Sequence, residues 1–96
     1  MTKYEIMFIV KATLEESALN NITKEVQSLI NNNTSKVIEF KDMGRKKLAY
    51  EINKEVSGFY YLMNVEANTE TIQEFDRKLR INENILRHLI LKKESE

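Results

Sequence analysis

Cysteine is absent from these 96 residues, histidine occurs once and glycine twice, and neither sign of charge is in excess. Each scarcity removes a class of function. Without cysteine there is no disulfide framework, no thiolate nucleophile and no thiolate metal site. One histidine and no cysteine would leave a metal only carboxylates. The Glu15-Glu16 pair is better read as the complement of a helix-start dipole. The sole histidine, His88, lies between Arg87 and Leu89 in an apolar run, and no serine sits in a strained elbow motif near an acid. It reads as a half-buried strand histidine rather than a catalytic base. Gly44 and Gly58 stand alone, so no glycine-rich loop can cradle a phosphate. The expectation is no catalytic residue, no metal, no cofactor and no small-molecule substrate.

The longest wholly apolar run, Ile6 to Val10, is five residues, far short of a membrane-spanning helix. The start, Met1-Thr2-Lys3-Tyr4-Glu5, lacks the apolar core of a signal peptide, so a cytoplasmic protein without membrane attachment is expected. Fifteen Lys+Arg balance fifteen Asp+Glu, and no global field draws the chain to a polyanion. Any such affinity must arise from local clustering. At this length, one domain over 1–96 with a single modest core is expected.

What is present is strongly patterned. Gly44-Arg45-Lys46-Lys47-Leu48-Ala49-Tyr50-Glu51-Ile52-Asn53-Lys54 sets three consecutive cations before an alternating run. Leu48, Tyr50 and Ile52 fall on one side, which is the period of a half-buried strand. Charge beside a glycine on a strand suggests a sheet edge. Upstream, Tyr4–Val10 alternates as a first strand. Thr13-Leu14-Glu15-Glu16 has the form of a capping box. Leu14, Ala18, Ile22, Val26, Leu29 and Ile30 then recur at helical spacing, and Asn31-Asn32-Asn33 supplies a left-handed stop.

A second strand begins at Val37–Phe40, bends or bulges at Asp42-Met43-Gly44 and resumes to Asn53. Ser57-Gly58 is expected to turn the chain into a third strand, Phe59–Ala67. Asn68-Thr69 opens a second helix with Ile72, Phe75 and Leu79 inward, and Asn82-Glu83-Asn84 breaks it. Ile85–Leu91 is a last strand, and residues 92–96 are expected to be a short frayed polar tail.

This βαββαβ order predicts an α+β, ferredoxin-like fold: a four-stranded antiparallel sheet with two helices on one face. An acylphosphatase of this fold carries glycine and arginine in the loop after its first strand. Here that loop is Lys11-Ala12-Thr13, with neither. The strand sets containing Glu5, Asn64 and Glu66 are assigned to the open face. That face then carries Met7, Ile9, Tyr60 and Leu62 at its centre, a small apolar patch suited to a partner.

Two basic clusters remain. One is Arg45-Lys46-Lys47; the other runs from Arg77, Lys78 and Arg80 through Arg87 to Lys92-Lys93. They serve either to solubilise the domain and block edge-to-edge pairing or to contact phosphates. The third strand lacks the Lys/Arg-Gly-aromatic pattern of RNA-recognition domains, so that mechanism does not transfer.

The start Tyr4-Glu5-Ile6, the block Gly44 to Tyr50 with Ile52-Asn53-Lys54, Leu62-Met63-Asn64-Val65-Glu66-Ala67, and Leu79 to Ile85 followed by Arg87 resemble the bacterial small ribosomal subunit protein S-six family. The similarity runs nearly end to end. It implies a structural role in the central platform of the small subunit, on the cytoplasmic ribosome. There the family binds ribosomal RNA beside small-subunit protein S-eighteen, with which it forms a heterodimer.

Carried over by position, the resemblance makes Lys3, Tyr4, Arg80 and Arg87 the candidates for RNA, and the second basic cluster adds Lys92 and Lys93. The resemblance places Arg45, Lys46, Lys47 and Tyr50 on the family's edge strand, open equally to the partner protein and to RNA; they are set down as partner candidates, together with Met7, Tyr60 and Leu62 of the apolar patch. Two positions depart from the common family pattern. Thr2 stands where arginine is frequent, and Glu51 stands where proline is frequent, restoring a backbone donor to the edge strand. The alternative from the residues alone is a non-ribosomal interaction module that self-associates through its sheet.

Overall fold

A computed structural model of the chain describes residues 2–31, 35–52 and 54–93. Its elements run β1 (Thr2–Lys11), α1 (Glu16–Ile30), β2 (Lys36–Ile52), β3 (Glu55–Ala67), α2 (Thr69–Ile81) and β4 (Ile85–Lys93). The strands form one antiparallel sheet in the order β2-β3-β1-β4. This is the ferredoxin-like fold that the element order predicts. No helix of the described residues is long and apolar enough to cross a membrane.

Alternation on the two central strands builds the core. Tyr4, Ile6, Phe8 and Val10 of β1 and Tyr61, Met63, Val65 and Ala67 of β3 meet Ile22, Val26 and Ile30 of α1 and Ile72, Phe75 and Leu79 of α2. Burying each of the large side chains contributes about 1.5–3 kcal/mol. Phe8 stacks on Tyr61 with ring centroids 5.2 Å apart, and Phe40 closes the trio at 5.5 Å from Tyr61. Burial, and then the charge of Asp42, raise the pKa of the Tyr61 hydroxyl.

The helix termini differ in kind. Asn68 caps α2, its side chain accepting from Thr71 N–H at 2.8 Å. The expected capping box at Thr13 does not form: α1 begins at Glu16, with Glu15 at the N-cap and no side-chain cap. β1 continues to Lys11, whose N–H donates to the Asn84 carbonyl at 3.0 Å. Residues 12–14 are therefore spent on the turn. At the other end Asn31 is extended (φ −70°) rather than left-handed, and its side chain accepts from Val37 N–H. Asn32 and Asn33 lie outside the described residues.

The β2–β3 hairpin is longer than its turn residues suggest. Ser57 and Gly58 lie inside β3, opposite Lys47 and Lys46, and the chain reverses between the paired Ile52 and Glu55. Lys54 takes the positive φ there, at 67°, and Asn53 lies outside the described residues. Gly58 instead permits close packing on β1, since a Cβ would stand 2.5 Å from Ile9 Cγ2 and 3.1 Å from the Val10 carbonyl oxygen. The predicted irregularity at Asp42-Met43-Gly44 is a register shift, with Gly44 at φ 82° and its N–H donating to Asp42 Oδ1. Lys92 and Lys93 are not a tail: they pair with Tyr4 and Lys3 at the end of β4. Residues 94–96 lie outside the described residues.

Candidate interface on the open sheet face

Both helices cover the face carrying Ile6 and Met63, so Lys3, Glu5, Met7, Ile9 and Lys11 of β1 belong to the bare one. Register places their neighbours. Met7 stands between Leu62 and Leu89, and Ile9 stands between Tyr60 and Arg87. Leu89 and Leu91 are half exposed on the edge strand. The open face is therefore the one expected, with Met7, Tyr60 and Leu62 at its middle.

Charge is graded along the strands. At one end, Lys36, Glu66, Lys3 and Lys93 form one row and Glu39, Asn64, Glu5 and Leu91 the next. Cations and carboxylates interleave there, and Lys93 pairs with Glu5 at 3.5 Å. At the other end the rows are Gly44, Tyr60, Ile9 and Arg87, then Lys46, Gly58 and Lys11. These rows carry cations and no carboxylate. Lys46 Nζ sits 5.8 Å from the Tyr60 ring centroid. Among the described residues, no ion pair neutralises Lys11, Lys46 or Arg87.

Two ladder irregularities shape this positive end. In β4 the register slips between Ile9 and Val10, which oppose Arg87 and Ile85, so Leu86 is an extra residue. Ile85 is buried in the core, yet two residues on, Arg87 is exposed beside Ile9 and His88 turns inward. A bulge of this kind re-aims a side chain. In β2, Lys47 pairs with Ser57 and Ile52 with Glu55, so residues 48–51 oppose Val56 alone. This excursion buries Leu48 against the open face and lays Tyr50 across it. Arg87 Nη1 donates to the Tyr50 hydroxyl, with the guanidinium 5.1 Å from the ring centroid. Beneath them is a groove of about 210 Å³, floored by Met7, Ile9, Leu48, Ile52 and Tyr60.

The remaining candidates scatter. Tyr4 is buried in the core, so it offers no ring face for stacking, whereas its neighbour Lys3 is exposed. Arg80 lies on α2, on the covered side of the sheet, and is ion-paired with Asp76, so it shares no surface with Arg87. Arg45 alternates to the side opposite Lys46 and donates to Ser57 Oγ at 3.3 Å; Lys47 follows it. Glu51 falls in the excursion and does not extend a straight edge. Lys92 is exposed. Residue reasoning passed over Lys11, although it continues the open-face set of β1. It also missed Leu48 and Ile9 as the groove floor, since only the excursion covers them.

Behind the sheet, His88 Nε2 lies 2.6 Å from Asp76 Oδ1. That hydrogen bond, with the charge of Arg80 assisting, holds the Asp76 carboxyl below the usual carboxylate range. The group ties β4 to α2. Among the described residues no cluster of His, Asp and Glu could hold a metal ion.

A ferredoxin-like sheet, bare on one face and graded in charge along its strands, defines a small α+β domain with one open face. The family model for Ribosomal protein S6 matches residues 3–92, and the chain belongs to that family of small-subunit ribosomal constituents. The solved structure of 30S ribosomal protein S6 from Thermotoga maritima is similar at 27% identity and a TM-score of 0.89, covering 96% of this chain and 87% of that one. An amidase of the hydantoinase/carbamoylase family from Burkholderia phymatum aligns at 9% identity and a TM-score of 0.36, over 28% of its length.

Proposed function

We propose that this chain binds small-subunit ribosomal RNA in the central platform of the cytoplasmic ribosome, as one half of a heterodimer with small-subunit protein S-eighteen. The observation that carries this reading is the division of charge on the open face. Lys11, Lys46 and Arg87 cluster without a carboxylate, whereas the far rows are neutralised. Phosphates are met by cations whose counter-charge is not already supplied by the protein. Arg87 is the leading contact and Lys46 and Lys11 its neighbours, with Lys3 secondary; Lys92, opposite Tyr4 on the other face, ranks below them. Arg80 and Lys93, each held by a carboxylate, rank lower. The apolar middle, with Met7, Tyr60, Leu62 and the exposed Leu89 and Leu91, suits the partner protein.

Net neutrality makes the chain alone a weak RNA binder, brought to competence by a basic partner. Titration of a platform RNA fragment with this chain, with S-eighteen and with their mixture tests this at several salt concentrations. The mixture is expected to bind most tightly, with affinity falling by roughly 0.7 to 0.9 log units per log unit of salt for each phosphate met. Equal binding by the isolated chain would overturn the cooperative model. A stable homodimer in size-exclusion chromatography, indifferent to S-eighteen, would favour self-association through the sheet instead.

A further inference from the structure

Tyr50 is 57% exposed, so burial does not explain its place. What holds it is Arg87. Its hydroxyl accepts from Arg87 Nη1 and its ring lies under the same guanidinium. The contact joins opposite edge strands, and two separate irregularities are needed to make it: the extra residue in β4 and the excursion in β2. Neither alone would suffice. Without the β4 bulge, alternation from the buried Ile85 would turn Arg87 toward the helices. Without the excursion, Tyr50 would remain on its own edge.

The hydrogen bond uses one of the five donors of arginine, and the ring face offers no counter-charge of a full unit. The guanidinium thus keeps its positive charge and four donors while losing much of its rotamer freedom. That freedom otherwise opposes binding, because an arginine must be immobilised to meet a planar anion. A carboxylate in the place of Tyr50 would also order the side chain but would cancel its charge.

We propose that Tyr50 is a positioning residue for Arg87, holding its guanidinium ordered and unneutralised on the open face for a phosphate of the RNA. This inference rests on the RNA-binding reading above and assigns Tyr50 to the RNA side of the surface rather than to the partner protein.

The test is a double-mutant cycle on the heterodimer with S-eighteen, reading the dissociation constant of a platform RNA fragment and its salt slope. Arg87→Ala is expected to weaken binding about tenfold and to reduce the slope by roughly one phosphate. Tyr50→Ala should weaken it roughly three- to fivefold with the slope retained, because the contact is still made but from a disordered side chain. Tyr50→Phe, keeping the ring but not the acceptor, should fall between. In the Arg87→Ala background Tyr50→Ala should cost nothing more. An equal loss from Tyr50→Ala in both backgrounds, or none beside a real Arg87→Ala defect, would overturn the proposal. Unchanged binding by Arg87→Ala would also overturn it while leaving RNA binding by the wild-type pair intact. No salt-dependent binding by the wild-type pair would instead refute the function on which it rests. Unchanged thermal unfolding of Tyr50→Ala separates positioning from a folding defect.

Discussion

Arg87 donates a hydrogen bond to the Tyr50 hydroxyl from the opposite edge of a four-stranded sheet, spanning the two central strands between them. The pair spans the rim of a groove whose floor includes Ile9 and Leu48, both buried on a face that no helix covers. A sheet with one bare face ordinarily leaves its central apolar residues half wet. Here the end of the β2–β3 hairpin supplies a local cover. The rest of that face, from Met7 to Leu91, stays open.

Leu48 anchors this cover, being 6% exposed although it lies in the part of β2 that has left the ladder. Leu48→Ala is expected to destabilise the chain by about 2 kcal/mol, the lower end of the core range, because the groove is open to water on one side. Urea unfolding checks this. A loss below about 0.5 kcal/mol would mean that the excursion is not held by burial.

The two glycines should respond differently. At Gly58 an added methyl meets Ile9 Cγ2 and the Val10 backbone, so Gly58→Ala overpacks the β1–β3 seam and should cost about 1–3 kcal/mol. At Gly44 nothing lies within 4 Å and only the positive φ opposes a side chain. Gly44→Ala should cost about 1–2 kcal/mol, and Gly44→Asn less than Gly44→Ala, since asparagine tolerates that conformation. Chemical denaturation of the four proteins distinguishes crowding from backbone strain.

Helix capping gives a paired comparison. Asn68→Ala removes the side chain that accepts from Thr71 N–H and is expected to cost about 1 kcal/mol. Thr13→Ala touches a residue in the turn before α1, where no side-chain cap forms, and should stay within about 0.5 kcal/mol of wild type. Equal losses would place the start of α1 at Thr13 after all.

Acid should weaken the link between α2 and β4. Asp76 has its carboxyl held below the usual range, chiefly by the hydrogen bond from His88 and then by Arg80. A carboxylate whose folded pKa is depressed adds stability that is fully present above the unfolded value of about 4 and is lost as pH falls through the lowered folded value. Wild type should therefore lose stability more steeply than Asp76→Asn between about pH 5 and pH 2. At neutral pH the substitution should cost about 1 kcal/mol, kept small by partial exposure. Urea midpoints measured across this range decide it; parallel curves would show that Asp76 is not the group responsible.

Much of the architecture was legible because burial imposes a period. The stripe Ile72, Phe75, Leu79 and the alternation of Ile6, Phe8 and Val10 follow from which faces must leave water, and the structure buries all six. The open face was legible for the same reason, since Glu5, Asn64 and Glu66 could not share the helix-covered side. Turn chemistry misled at Gly58, where a small residue serves a close approach rather than a reversal. It misled again at Thr13, where the strand ran longer than its apolar pattern. Of the candidate site, Lys46 and Arg87 could be chosen as cations. That Arg80 is neutralised and Tyr4 is buried could not be read, because pairing and burial depend on what the fold brings beside them.

By itself, then, the sequence determined the element order, the two faces of the sheet and the edge position of the basic strand. All follow from local periodicity and from the antiparallel pairing that short connections impose. Only the tertiary structure decided that Arg87 and His88 point to opposite faces, and that Tyr50 reaches an arginine 37 residues away. Only it decided that the cations at one end of the face lack counter-charges. One extra residue in a ladder inverts the side of every residue beyond it, and no local pattern records where the slip is absorbed.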